Sequence, residues 1–80
     1  MIQVRPAARE ALLSLDKPAR RALQRAIDAL SADPAPEGAV ALSSPVGAMR
    51  VTVGEQQVVY MIDDRKEVLI LLIATSDAAR

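Results

Sequence analysis

Arg50 and Tyr60 are the residues of this 80-residue chain whose types could take part in chemistry on a β-patterned scaffold. An arginine keeps its charge and can grip phosphate or carboxylate oxygens with a planar fork of donors. A tyrosine hydroxyl is a weak acid–base group that both donates and accepts. Each also has a plainer role. Arg50 occupies a polar position in Met49-Arg50-Val51-Thr52-Val53, which suits a solvated strand arginine. Tyr60 alternates with Val58 and Ile62, which suits a core tyrosine with a bonded hydroxyl.

Further basic candidates fall in three places. Arg20, Arg21 and Arg25, with Lys17, share one helical stretch away from its apolar stripe; Arg65 and Lys66 form a turn pair; Arg80 is the last residue. The plain reading of the helical group is a solvent face, and the functional one is a docking surface for an acidic protein or a nucleic acid. Asp33 and Glu37 have no third carboxylate nearby, so no metal site is expected, and no cofactor either. The chain has no histidine and no cysteine. The usual general base, the thiolate nucleophile and the commonest metal ligands are therefore missing.

Charge is balanced overall, with ten basic and ten acidic residues, but not evenly distributed. Residues 1–31 hold six basic and three acidic side chains, a balance of +3, while residues 32–80 hold four and seven, a balance of −3. A phosphate-gripping face is normally positive, and here the C-terminal half is the acidic one. Half the residues are apolar, nearly all aliphatic, with Tyr60 the sole aromatic. That supports one packed domain over residues 1–80 and leaves few side chains for stacking on bases. No signal peptide or membrane-length apolar run is visible, so a soluble cytosolic domain with no membrane association is expected.

The elements that must position these residues can be read in order. Ile2-Gln3-Val4-Arg5 alternates as a short strand. Pro6 suits the first turn of a helix carrying Ala8, Ala11, Leu12 and Leu15 on one stripe. Asp16-Lys17-Pro18 breaks it, with Asp16 as N-cap of a second helix whose Leu23, Ile27 and Leu30 repeat at helical spacing. The short break predicts an antiparallel helical hairpin. A loop follows from Asp33 to Pro45, then strands on either side of Gly54-Glu55 and of Asp63-Asp64-Arg65-Lys66, an antiparallel meander. Six consecutive large aliphatics from Val68 to Ile73 suggest a central strand covered on both faces, contributing on the order of 10 kcal/mol of gross burial. A charge at Ile70 or Leu71 should unfold such a domain. Residues 75–80 read as a frayed tail.

The order strand, helix, helix, Pro-containing loop, meander resembles the RelE/ParE toxin superfamily of type II toxin–antitoxin systems, also known as plasmid-stabilisation proteins. The resemblance spans nearly the whole chain. It rests most on Met49-Arg50-Val51-Thr52-Val53-Gly54-Glu55-Gln56-Gln57-Val58-Val59-Tyr60-Met61-Ile62-Asp63-Asp64. This stretch looks like the family pattern of Arg, apolar residues, Gly, Asp, Tyr, Arg, two aliphatics, Tyr and an acidic turn. The hairpin ending in Asp33-Pro34 and the following Gly38 also fit.

The resemblance implies an α/β (α+β) fold with a short N-terminal strand, a helical hairpin and a three-stranded antiparallel meander. It implies a cognate antitoxin as partner, and either ribosome-dependent mRNA cleavage (an mRNA interferase-like activity) or, in ParE-like members, poisoning of DNA gyrase. Arg50 matches the arginine of the first meander strand. The family's next arginine is Gln57 here, and the tyrosine before it is Gln56. Expected basic loop residues fall among Ala41-Leu42-Ser43-Ser44, a His-Arg pair near Ala74-Thr75, and a terminal aromatic near Ala79. Metal-free RNA cleavage needs a base, an acid and cations for the developing phosphorane charge. Arg50 and Tyr60 are all this chain offers, which argues against an efficient nuclease. A non-catalytic gyrase inhibitor, or a non-toxic relative retained as a binding or regulatory module and able to form homo-oligomers, are the alternatives.

Overall fold

Asp16 stops one helix and starts the next. Its carboxylate accepts the Ala19 N–H at 3.0 Å, so an otherwise unpaired donor of the first turn is satisfied. In the computed structural model, which describes residues 2–44, 46–65 and 67–75, helix α1 runs Pro6–Leu13 and α2 runs Lys17–Leu30. Both carry a proline in the first turn, where no intrahelical N–H is lost. Of the stripes expected from spacing, Ala8 and Leu12 on α1 and Leu23, Ile27 and Leu30 on α2 are buried, while Ala11 and Leu15 are half-buried against the same core.

Five strands form one sheet: β1 (Ile2–Val4), β2 (Val40–Ala41), β3 (Ala48–Val53), β4 (Gln56–Ile62) and β5 (Val68–Thr75), in the order β1-β5-β4-β3-β2. The β3–β4–β5 meander is antiparallel as the turns predict. Gly54 opens the two-residue β3–β4 loop at φ +60°, which a residue with a side chain rarely adopts. Asp63 organises the β4–β5 turn: its carboxylate accepts the N–H groups of Arg65 at 2.9 Å and Glu67 at 2.8 Å.

The sheet is mixed rather than a pure meander. β1 lies parallel to β5, with Ile2 opposite Val68 and Val4 opposite Ile70, and the Arg5 N–H extends the ladder to the Ile70 carbonyl at 3.0 Å. The segment expected to be loop up to Pro45 contains β2, which pairs with β3 at Met49 and Arg50. Pro45 itself lies outside the described residues, and so does the expected tail beyond Thr75.

β5 is an inner strand, as its aliphatic run suggests, but not one covered on both faces by the described residues. Its lack of alternation has another cause. Val59 pairs with Leu72 and Tyr60 with Ile70, so Leu71 is an extra residue that shifts the phase of the strand. Ile70 and Ile73 then both face the helices and are buried, while Leu72 is 49% exposed. The core is a single layer between helices and sheet: Ala8, Leu12, Leu23, Ile27 and Leu30 against Val58, Tyr60, Val68, Ile70 and Ile73.

Candidate functional site

Side chains at paired positions of neighbouring strands share a face, so the register sorts every candidate. One cross-strand row away from the helices is Val40, Arg50, Val59 and Leu72. Beside it on the same face runs the row Thr52, Gln57 and Ala74, and on its other side Ala48, Met61, Leu69 and Gln3. No described helix lies over these rows. The outcome is a sheet face of aliphatic side chains with amides and a hydroxyl along its margins. Arg50 is the single charged residue among these positions. It is half-buried, and its immediate cross-strand neighbours are the aliphatic Val40 and Val59. A guanidinium held there is less hydrated than one on a polar surface, which favours a hydrogen-bonded anionic group delivered from outside.

Two of the positions at which the resemblance leads one to look for cations, Gln57 and Ala74, share a row with Thr52 next to Arg50, and none of the three carries a charge. Arg50 is the one cation these rows supply.

Tyr60 belongs to the opposite face. It pairs with Met49 and Ile70, is completely buried, and donates its hydroxyl to the Pro34 carbonyl at 2.7 Å. The two residues named together as catalytic candidates are thus separated by the thickness of the sheet. Burial, and secondarily the Asp33 carboxylate, push the Tyr60 hydroxyl above its ordinary value of 10.0. Both causes disfavour the phenolate, so this hydroxyl is poorly suited to act as a base. It serves as a clasp holding the α2–β2 connection against the sheet.

A measurement follows from that clasp. With its folded value raised, Tyr60 contributes stability that is fully present below pH 10 and is lost as pH rises through the folded value. Tyr60 is the only phenol in the chain, so its ultraviolet titration reports this group alone. Tyr60→Phe should cost about 1–2 kcal/mol at neutral pH, because the Pro34 carbonyl loses its partner. The variant should also show less loss of stability above pH 10 than the parent in denaturant titrations.

The remaining basic candidates do not join Arg50. Arg20, Arg21 and Arg25 lie on α2, in the helix layer across the sheet; Arg21 and Arg25 are exposed and Arg20 is half-buried. Arg65 is exposed in the β4–β5 turn. Lys66 and Arg80 lie outside the described residues. No described helix is long and apolar enough to cross a membrane. What sequence reasoning missed is the open aliphatic face itself. Its signal was the non-alternating β5 run, which was assigned to two covered faces because a one-residue bulge leaves no mark in periodicity.

No family model and no curated protein matches the sequence. Solved structures do match the fold. The Mycobacterium tuberculosis toxin–antitoxin complex RelBE2 contains a chain that superposes with a TM-score of 0.81 at 23% identity, over 94% of this chain and 95% of that one. The Pyrococcus horikoshii RelE–RelB complex gives 0.81 at 22% identity, over 92% and 91%. The isolated Escherichia coli RelE toxin gives 0.79 at 16% identity, over 99% and 94%. The helical hairpin on a five-stranded mixed sheet is the fold of the RelE toxins.

Proposed function

We propose that this chain is the toxin-like component of a type II toxin–antitoxin module and works by binding a cognate antitoxin polypeptide. The observation that carries this reading is the open sheet face. A five-stranded sheet with aliphatic side chains on both sides and helices on one is suited to receive a second polypeptide. Structures of the same fold have been solved in complex with RelB antitoxins, which supports an antitoxin as that polypeptide.

The family-type activity, translation inhibition by cleavage of ribosome-bound mRNA, is weak or absent on this reading. Arg50 alone cannot supply the proton transfers and the charge stabilisation that metal-free cleavage needs. The uncharged row Thr52, Gln57 and Ala74 favours a second reading in the same direction. On it, the chain is a non-catalytic ParE-like gyrase inhibitor, or a non-toxic binding or regulatory relative.

The test is induction of the chain alone in a bacterial host, followed by co-expression with any adjacent small gene. Intact mRNA, together with co-purification of the neighbouring gene product, is the expected result. Cleavage of ribosome-bound mRNA that disappears in Arg50→Ala would overturn the non-catalytic part. Growth arrest with DNA-damage signalling and intact mRNA would select gyrase.

A further inference from the structure

β1 leaves one edge of the sheet open. β5 is its sole described neighbour. The Arg5 N–H bonds the Ile70 carbonyl at 3.0 Å, so Arg5, still extended, turns its backbone toward β5. Successive residues of an extended strand direct their backbone groups to opposite edges. The N–H and C=O of Val4 therefore point outward, away from the ladder. Such an edge is a template for a second extended chain.

The Val4 side chain faces the helices, because Val4 pairs with the buried Ile70. Behind the open edge it lines a cavity of about 220 Å³ together with Arg9, Leu12, Leu13 and Gln24. Val4, Leu12 and Leu13 make the walls aliphatic. The buried stripe of α1 is Ala8 and Leu12, and the core leaves Leu13 out, 61% exposed. Arg9 stands one turn before Leu13 on the same face of α1.

Charge selects the occupant. Arg9 is the one charged residue among the described lining, with no carboxylate beside it there. A guanidinium takes a carboxylate through two parallel hydrogen bonds. Gln24 donates its amide N–H to Asp28 at 3.2 Å, which turns its carbonyl oxygen the other way, available to accept a backbone N–H. The last turn of α1, at Leu13, carries partial negative charge, so an anion settles on the Arg9 side. No aromatic ring lines the cavity for a base to stack on, and one cation does not track a phosphate chain.

We propose that the β1 edge and the cavity behind it bind the free carboxyl terminus of an extended polypeptide that ends in an aliphatic residue. The last side chain fills the space between Val4, Leu12 and Leu13, the terminal carboxylate meets Arg9, and the peptide backbone pairs with Val4. β1 is at the opposite edge of the sheet from β2. The site is separate from the open face and goes beyond the antitoxin-binding reading, on which it does not depend.

The experiment titrates the full ¹⁵N-labelled chain with acetylated hexapeptides of alternating threonine and valine that end in leucine. The free acid should bind about tenfold more tightly than the carboxy-amide, shift the amides of Val4, Arg9, Leu13 and Gln24, and weaken as salt is raised. A free acid ending in glycine should also bind about tenfold more weakly, because it leaves the cavity empty. 4-Methylpentanoate has the carboxylate and the side chain but no backbone, and should leave these amides unshifted at concentrations where the peptide saturates. Arg9→Gln should bind acid and amide alike, and Leu13→Ser should weaken both. Both positions are exposed, and a cooperative melt of each variant checks that it folds.

Equal affinity for acid and amide in the parent chain, binding of neither, or shifts confined to Val51 and Val53 or to Val59 and Leu72 would each overturn the proposal. So would undiminished discrimination between acid and amide in a folded Arg9→Gln variant, saturation of the site by 4-methylpentanoate at peptide concentrations, or displacement of the peptide by single-stranded RNA.

Discussion

Ile70→Asp should abolish the folded state. Ile70 is completely buried on the inner strand β5, opposite Tyr60 on β4 and Val4 on β1, and belongs to the layer facing the helices. An aspartate there is left without a described cationic partner and removes a large aliphatic from the middle of the core. Substitutions that bury an unpaired charge cost about 4–5 kcal/mol or more. A chain of this length has a total stability of roughly 4–12 kcal/mol. The expected observation is loss of the cooperative thermal transition in circular dichroism. Leu72→Asp is the control: it sits two positions along the same strand, yet its side chain is 49% exposed on the open face. That variant should melt cooperatively within a few degrees of the parent, and unfolding of both to the same extent would show that the open face is covered in the folded chain.

Adding cations to the open face should have the second largest effect. Gln57 lies in the row with Thr52 and Ala74, adjacent to the row of Arg50, on one uncovered surface. Gln57→Arg puts a second guanidinium on the face at the position where the RelE/ParE resemblance has an arginine. A second guanidinium beside Arg50 should strengthen the hold on phosphate, while supplying neither the base nor the acid that cleavage needs. In a ribosome-bound mRNA assay, the parent should be indistinguishable from a no-protein control. Gln57→Arg together with Thr52→Lys should bind single-stranded RNA about tenfold more tightly, an effect that falls as salt is raised and in combination with Arg50→Ala, without cleavage, because no base or acid has been added. Efficient cleavage by the unmodified chain would contradict the binding-only reading. Cleavage by neither would mean that missing proton-transfer groups, not missing cations, set the limit.

Much of this architecture was legible from local chemistry. Asp16 and Pro18 locate the start of α2, Gly54-Glu55 the first hairpin, and Asp63 the second, because caps and tight turns are decided by a few neighbouring atoms. Tyr60 as a core residue with a bonded hydroxyl followed from its alternation with Val58 and Ile62, although its partner Pro34, twenty-six residues away, did not. β2 escaped notice because two residues are too few to show any period. The bulge at Leu71 escaped because six aliphatics in a row look alike whichever way each one points. For the site, Arg50 on the polar side of β3 was readable. That it shares a face with Gln57 and Ala74, while Tyr60 does not, depended on strand register across two hairpins. The basic residues of the helix and of the turn already fall in separate stretches of the sequence, and the fold keeps those it describes on separate surfaces.

The parallel pairing of β1 with β5 also governs when the domain can form. Ile2 finds its partner in Val68, sixty-six residues further along the chain, and no other described strand flanks β1. Contacts that close so long a loop are entropically expensive early in folding and are not rewarded until both ends are present. During synthesis the helical hairpin and the β3–β4 hairpin can form as local units, but their shared core lacks Val68, Ile70 and Ile73 until β5 has left the ribosome. Residues made among the first therefore become ordered among the last. A partner polypeptide made alongside this chain meets a complete sheet only after β5 has left the ribosome.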